Sequence, residues 1–168
     1  CGGKDIKVHK YERIRSKRKD GKEWKHNEFT TYGIDKQSTS FKQFRELLYK
    51  NGKKTISKEV LDLLNPTSIA LWFLDDGCLS RRKNKDGSPG SYMLRICTYL
   101  PKDQNELIQK YFQDKYNITW NVVKADGAKD DSQWMLRCGE KEGRKFLAII
   151  RDIVQKNIPS MNYKVLDI

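Results

Sequence analysis

The segment 66–77 constrains the fold of this chain more than any other part of its sequence. It contains an uninterrupted apolar run, residues 69–74, that is followed at once by two aspartates, Asp75 and Asp76. A helix that is apolar on nearly all sides is typically buried. The pattern therefore predicts a buried helix that carries two carboxylates at its C-terminal end.

The residues that flank this segment mark both ends of the helix. Asn65 is a suitable N-cap, and Pro66 is favoured in the first turn. Gly77 is typical of the left-handed residue that closes a helix. We therefore expect a helix over residues 66–76, closed by Gly77 in the left-handed conformation.

The two carboxylates lie at the electrostatically unfavourable end of the helix. Carbonyl groups and the macrodipole already carry partial negative charge there, so a cation stabilises the position. A divalent cation beside Asp76 would do so, and Mg²⁺ typically takes only one or two protein carboxylates and keeps several waters. The alternative is an ordinary solvated helix end.

Net charge indicates the class of partner. The chain has 168 residues and a formal net charge of +12, and residues 1–58 contain 17 Lys and Arg against seven Asp and Glu. Such an excess indicates a polyanionic partner. Because no long apolar stretch or basic amphipathic helix is present, nucleic acid is favoured over a membrane. The alternative is a soluble basic protein without such a partner.

Cysteine and histidine usage excludes several kinds of site. The four cysteines, Cys1, Cys78, Cys97 and Cys138, lack the close spacing of zinc sites. Two histidines are too few for a histidine-metal nuclease, so catalysis must use carboxylates and lysines. Reduced thiols and the lack of a recognisable targeting segment predict an intracellular, reducing compartment. The first residue is Cys1, so a processed product, an excised fragment and a trimmed chain all remain open.

The periodicity of apolar residues after Gly77 alternates between strand and helix. A polar turn separates the first two strands, and a polar loop separates the second two. The predicted elements are strands 78–82 and 92–100, helix 101–116, strands 118–125 and 133–138, and helix 141–157. From residue 66 the order is therefore α-β-β-α-β-β-α, which predicts an α+β fold with an antiparallel sheet.

The run Ala70-Leu71-Trp72-Phe73-Leu74-Asp75-Asp76-Gly77 resembles the signature helix of the LAGLIDADG homing endonucleases. The element order that follows is similar to the repeating half of that family, above all in its intron-encoded, single-chain members with two motifs. Segments 51–56 and 159–164 also resemble that subgroup. The resemblance implies two halves side by side, with signature helices packed at the centre and sheets that form a saddle over the DNA major groove.

The same resemblance implies roles for particular residues. Asp76 falls at the metal-ligating acid, with Asp75 as a neighbouring candidate ligand. Lys54 and Lys164 fall at basic positions near the cleavage centre, where an ammonium group offsets phosphate charge. Ala70 and Phe73 fall in the interface between signature helices or subunits. The implied activity is site-specific, Mg²⁺-dependent double-strand cleavage of DNA. For each lysine, the alternative is a solvated surface charge.

The region before the motif resembles only the rear part of a first half. Residues 8–15 and 27–33 are predicted strands, and residues 40–50 a predicted helix, so residues 1–65 form an incomplete half before a complete one at 66–168. A two-stranded hairpin is marginally stable in water. We therefore expect a partner chain that supplies the first motif. Two alternatives are a homodimer with a near-palindromic target and an RNA-binding maturase or ribonucleoprotein component.

Outward-facing basic and amide side chains on the strands and turns are the candidate DNA contacts. Arg and Gln read guanine and adenine edges, whereas turn lysines more often contact phosphate. The alternative for each is a solvated side chain. The candidates are Arg13, Arg15, Lys17, Arg18, Arg81, Arg82, Lys83, Lys85, Arg95, Lys124, Gln133 and Arg137.

Overall fold

The computed structural model describes residues 7–14, 28–35, 39–126, 128 and 132–165. The chain divides into two compact units, Cys1–Arg45 and Glu46–Ile168. The second unit begins 20 residues before the division predicted after residue 65. It does so because the segment after Glu46 is fixed to it: the Ile56 amide donates to Gln104 Oε1 at 2.9 Å, and Leu61 is buried. The division into two halves remains a prediction.

The first unit is built on an antiparallel hairpin. Strand β1 (Lys7–Ile14) pairs with β2 (Glu28–Asp35) along their whole length. Helix α1 (Thr39–Leu48) begins in this unit. These elements confirm the predicted strands and helix. Two large apolar side chains of α1, Phe41 and Phe44, remain 55% and 53% exposed.

The second unit confirms the predicted α+β class and element order. Ahead of the signature segment it adds a hairpin and a short helix that periodicity does not predict. Its elements are β3 (Tyr49–Lys50), β4 (Lys53–Lys54), α2 (Lys58–Asp62), α3 (Pro66–Asp76), β5 (Gly77–Lys83), β6 (Pro89–Leu100), α4 (Lys102–Tyr116), β7 (Asn121–Lys124), β8 (Trp134–Gly139), α5 (Glu140–Asn157) and a 3-10 helix (Pro159–Lys164).

Four strands form one antiparallel sheet in the order β5-β6-β8-β7. Successive side chains of a strand point to opposite faces, so one face buries Leu94, Ile96 and Leu136. The opposite face carries Arg95, which lies between Cys78 on β5 and Arg137 on β8 in the sheet register. The sheet therefore has an apolar face covered by helices and a second face that presents arginines.

An aromatic cluster fills the core between the sheet and the helices. Phe73 of α3 packs edge-on against Phe146 of α5, with ring centroids 5.1 Å apart. Trp120 and Phe112 contact the same Phe146 ring at 5.2 and 5.7 Å. All four side chains are fully buried, and each contributes about 1.5–3 kcal/mol through the burial of apolar surface. The cluster fixes α3 in place and with it the acidic end of that helix.

The N-terminal cap of α3 is the one predicted from the sequence, whereas the conformation at its C-terminal end is not. Asn65 caps the helix as predicted, since its Oδ1 accepts the Ser68 amide at 3.0 Å. The left-handed conformation predicted for Gly77 is wrong, because its φ is −87° and ψ is 149°. Glycine is needed there for space: a Cβ would lie 2.2 Å from the carbonyl oxygen of Phe73. The chain therefore passes directly from α3 into β5.

Candidate functional site

A cavity of about 570 Å³ lies beside the acidic end of α3. Its lining residues include three of the predicted functional residues, Lys54, Asp76 and Gln133. Lys53, Tyr99 and Ser132 lie around the same cavity. The fold thus brings together a carboxylate, two lysines and polar side chains from segments far apart in the sequence.

Asp76 is half-buried, whereas its neighbour Asp75 is exposed. The indole nitrogen of Trp72 donates a hydrogen bond to Asp76 Oδ2 at 3.2 Å. Trp72 lies one turn earlier in α3, and residues four apart share a helix face. The contact holds one carboxylate oxygen in a fixed place. Sequence reasoning did not identify Trp72, although its spacing from Asp76 is the signal that could have done so.

Lys164 closes the C-terminal end of α3. Its ammonium group donates to the carbonyl oxygens of Leu74 at 2.6 Å and Gly77 at 2.9 Å. A lysine bonded to the last carbonyls of a helix offsets their partial negative charge. The chain therefore supplies part of the positive charge that the sequence predicts beside Asp76.

Lys54 is an exposed residue of strand β4. It follows a turn in which Asn51 and Gly52 both have positive φ, 52° and 74°, as the tight turns of two-residue hairpins require. The Thr55 amide donates to the Leu48 carbonyl at 2.8 Å and continues the pairing. This short hairpin holds Lys54 at the edge of the cavity.

Asp76 is the candidate ligand that the cavity offers to a divalent cation. Asp76 Oδ2 accepts the Trp72 indole, and within the described part of the chain no donor is seen to bond to Oδ1. Mg²⁺ is usually held by one or two protein carboxylates together with substrate phosphates, and it keeps several waters. The described ranges contain no group of three or more His, Cys, Asp or Glu that could hold a metal. A complete protein-only metal centre is therefore not formed by the described residues.

Ala70 and Phe73, predicted at a helix or subunit interface, are both buried within the chain itself. Phe73 meets a helix of the same chain, through its contact with Phe146 of α5. A side chain with no exposed surface cannot reach a second subunit unless the core opens. Leu71 is the large apolar residue that α3 leaves exposed, at 53%, and the interface role of Ala70 and Phe73 remains a prediction.

Arg95 lies at the centre of the solvent-facing side of the sheet. It forms an ion pair with Asp126 at 2.5 Å and a longer hydrogen bond to Ser80 Oγ at 3.4 Å. It also donates to Cys78 Sγ at 3.8 Å. The pKa of the Cys78 thiol is lowered, first by its hydrogen bond with Ser80 and then by the Arg95 guanidinium. Arg95 is thus held in a defined orientation on this face.

Most of the other predicted DNA contacts are exposed in the second unit, and the rest lie in β1 or outside the described residues. Arg81, Arg82, Lys83 and Lys85 are exposed at the end of β5 and in the turn after it. Lys124 on β7, Gln133 just before β8 and Arg137 on β8 are exposed as well. Arg13 lies in β1 opposite Phe29. Arg15, Lys17 and Arg18 lie outside the described residues.

Among the helices that are described, none is long and apolar enough to cross a membrane.

Comparison with known proteins supports the resemblance. The sequence profile of the LAGLIDADG DNA endonuclease family matches residues 4–146. The fold is similar to the homing endonuclease I-WcaI, solved bound to its DNA recognition sequence, with a TM-score of 0.70 and 18% identity over 97% of this chain and 64% of that one. At this identity the likeness shows the fold.

Curated relatives of different kinds share part of the sequence. An uncharacterised protein of Methanocaldococcus jannaschii is 26% identical over 74% of this chain and 44% of its own length. Cytochrome b mRNA maturase bI2 of Saccharomyces cerevisiae is 27% identical over 88% of this chain and 32% of its own length. A RecA protein of Mycobacterium gastri is 28% identical over 69% of this chain and 27% of its own length.

The chain spans less than half the length of these curated relatives. The family profile, by contrast, covers most of the chain, and it includes α3, both strand pairs and the start of α5. Profile, fold and the position of the acidic helix end agree with one another. The chain belongs to the LAGLIDADG DNA endonuclease family.

Proposed function

We propose that this chain provides the second half of a site-specific, Mg²⁺-dependent homing endonuclease that makes double-strand breaks in DNA. The observation that carries the proposal is the cavity in which half-buried Asp76 lies with Lys53 and Lys54. Phosphodiester hydrolysis needs an activated water and stabilisation of charge on the phosphate. A carboxylate and adjacent ammonium groups are the side chains that this chemistry requires.

We assign a task to Asp76, to Lys54 and to the side chains that hold the acidic end of α3. Asp76 holds the metal ion through Oδ1, while Trp72 orients the carboxylate through Oδ2. When bound, the metal lowers the pKa of a coordinated water and stabilises the phosphate. Lys54, which lines the same cavity, offsets phosphate charge. Lys164 acts through the backbone, because its contacts with Leu74 and Gly77 fix the helix end that carries Asp76. Asp75 is exposed and is a weaker candidate ligand.

The arginine-bearing face of the sheet is the proposed DNA-reading surface. Arg95 and Arg137 are neighbours in the register of β6 and β8, and arginine pairs with both acceptors of a guanine edge in the major groove. The exposed residues Arg82, Lys83 and Lys85 are proposed to contact phosphates, which supply affinity and not sequence information. Arg95 must leave or share its ion pair with Asp126 in order to read a base.

A second segment that carries the first motif is proposed to complete the enzyme. The cavity holds one acidic helix end, while the family's cleavage centre is shared between two. The exposed residues Phe41 and Phe44 of α1 offer an apolar surface to such a segment. The segment belongs either to the same polypeptide or to a partner chain. Self-pairing through Leu71 of α3 is the symmetric alternative.

The test is a pair of matched substitutions in neighbouring carboxylates. Asp76→Asn removes the proposed ligand, and Asp75→Asn removes the same charge one residue away on an exposed position. With a first-motif segment supplied, and on duplex DNA that the wild-type protein selects from a randomised pool, Asp76→Asn should bind normally and lose cleavage by at least about 100-fold. Asp75→Asn should retain most of the activity. Loss of binding in Asp76→Asn would show a structural role and overturn the proposal.

A second candidate function is RNA binding as a maturase. Relatives named cytochrome b mRNA maturase bI2, from two yeasts, match 87% and 88% of this chain. Under this alternative the basic sheet binds structured RNA, and Asp76 is not needed. Competition between a randomised RNA pool and a randomised duplex DNA pool separates the two. Preference for RNA, with no cleavage of DNA, would favour the maturase.

A further inference from the structure

Tyr99 has a backbone conformation that its residue type does not favour. Among the described residues, three that are not glycine have positive φ: Asn51, Tyr99 and Asn117, each at 52°. Asn51 lies in a tight turn, Asn117 caps the C-terminal end of α4, and asparagine tolerates the left-handed region. An aromatic residue at this φ is a genuine outlier. Such outliers persist where the surrounding structure imposes them and cluster at functional sites.

An irregularity in strand pairing places Tyr99 in this conformation. Between Ile96 and Leu100, β6 advances four residues, while its partners on β8, Leu136 and Trp134, are two residues apart. Strand β6 therefore carries two extra residues at this point. Bulges of this kind change the direction of a side chain and are over-represented beside active sites.

A buried polar network fixes the backbone on both sides of Tyr99. Thr98 Oγ1 donates to Asn105 Oδ1 at 2.7 Å, and the Asn105 side-chain amide donates to the carbonyls of Leu100 at 2.9 Å and Pro101 at 3.1 Å. Thr98 and Asn105 are almost completely buried. Buried polar groups that are fully bonded rigidify a structure. The network therefore holds the bulge in a single conformation.

The side chain of Tyr99 does not contribute to the core that this network supports. It is 53% exposed, and it lines the cavity that also holds Asp76 and Lys54. Because the ring is largely exposed, it buries little apolar surface that could offset the cost of the unfavourable φ. The conformation is explained if the ring serves a ligand that occupies the cavity, and the two lysines Lys53 and Lys54 select an anionic one.

We infer that Tyr99 is a DNA-positioning residue whose phenolic hydroxyl donates a hydrogen bond to a backbone phosphate oxygen at the cleavage cavity. The inference rests on the proposed function and adds a residue to it. The buried pair Thr98 and Asn105 imposes the backbone conformation, and Tyr99 places the phosphodiester against Asp76. Tyrosine suits this task because its ring is rigid and its tip is polar.

Three substitutions test the inference in Mg²⁺, with a first-motif segment supplied, on duplex DNA that the wild-type protein selects from a randomised pool. Tyr99→Phe removes the hydroxyl alone, so the melting temperature should stay unchanged while the single-turnover cleavage rate falls about 10- to 100-fold. Tyr99→Asn suits the left-handed backbone, so it should raise the melting temperature and still lower the rate. Asn117→Tyr places tyrosine at the same φ away from the cavity, so it should lower the melting temperature and leave the cleavage rate of the folded protein unchanged.

The outcomes separate this inference from the proposed function. A wild-type protein that cleaves, with Tyr99→Phe cleaving equally fast, overturns the inference alone. A lower melting temperature in Tyr99→Asn also overturns it, because the backbone would then not be strained. A wild-type protein that selects and cleaves no duplex, even after a first-motif segment is supplied, overturns the proposed function and the inference together.

Discussion

Asp76 depends on two neighbours that act on different atoms. Trp72 bonds to its side-chain oxygen, while Lys164 bonds to the carbonyls of Leu74 and Gly77 on either side of it. The carboxylate and the backbone that carries it are therefore fixed independently. Such control matters at a cleavage site, because catalytic groups must be held close to their productive geometry.

Trp72→Phe tests the side-chain contact. Phenylalanine keeps most of the partly buried ring but lacks the indole N–H, so Asp76 loses one donor. A hydrogen bond to a charged group contributes about 1.5–3 kcal/mol, so cleavage should slow at least about tenfold. DNA affinity, measured by fluorescence anisotropy, should not change. An equal loss in affinity and rate would show that Trp72 supports the DNA surface instead of Asp76.

At the scale of elements, the passage from α3 into β5 is the most constrained connection. Helix and strand adjoin without a loop, and Gly77 lies against the Phe73 ring and carbonyl. The acidic helix end and the first strand of the sheet are therefore rigidly coupled. A change in the position of one must move the other.

Gly77→Ala should destabilise the protein. Its Cβ would lie 2.2 Å from the Phe73 carbonyl oxygen, which is backbone and cannot rotate away. Overpacking costs about 1–3 kcal/mol, and a backbone clash belongs at the upper end. Gly139→Ala is the control, since nothing lies within 4 Å of its added Cβ, and at this N-cap it should cost no more than about 1 kcal/mol. Urea denaturation measures both, and equal stability of the two variants would refute the explanation.

The first hairpin of the sheet should bind DNA phosphates. Arg82, Lys83 and Lys85 are exposed, and we replace all three by Gln. A plot of the logarithm of the DNA-binding constant against the logarithm of the salt concentration should then become less steep, by about 0.9 for each phosphate that the variant no longer neutralises. The matched control replaces Lys110, Lys145 and Lys156, which are exposed on the helices α4 and α5. It removes the same charge and should leave the slope unchanged. Identical slopes for both triple variants would assign the effect to net charge alone.

The regular elements could be predicted from the sequence, whereas several local features could not. Alternating Trp134, Leu136 and Cys138 predicts the buried face of β8. Strands β3 and β4 have two residues each, too few to show an alternation of apolar and polar side chains. The contact of Lys164 with Leu74 spans 90 residues, and no local pattern reveals it. For Tyr99, an aromatic residue in a strand gives no sign of a positive φ, because the bulge depends on pairing with β8.

At the scale of the whole molecule, the core cluster of the described residues lies in the second unit. The second unit buries an aromatic cluster and a four-stranded sheet, while the first is built on a two-stranded hairpin, and its α1 residues Phe41 and Phe44 are exposed. Two strands alone are marginally stable in water. This imbalance supports the proposal that another segment completes the first unit.

Hydrogen exchange tests this proposal directly. In the chain alone, amides of β1 and β2 should exchange at least about 100-fold faster than those of β6 and β8, because a two-stranded hairpin is marginally stable in water and opens at little cost. Addition of a segment that carries a first motif should slow the exchange of β1 and β2 selectively. Equal protection of both sheets in the chain alone would contradict the need for such a segment.

We propose that Asp76 and the cavity beside it belong to a metal-dependent DNA-cleaving centre. To test this, the protein is incubated with a randomised duplex DNA pool, with Mg²⁺ or with EDTA, and the ends produced are sequenced. We expect enrichment of one recognition sequence, cut on both strands, in Mg²⁺ alone. Tight and selective binding of DNA that yields no cut ends in Mg²⁺, even after a first-motif segment is supplied, would contradict it.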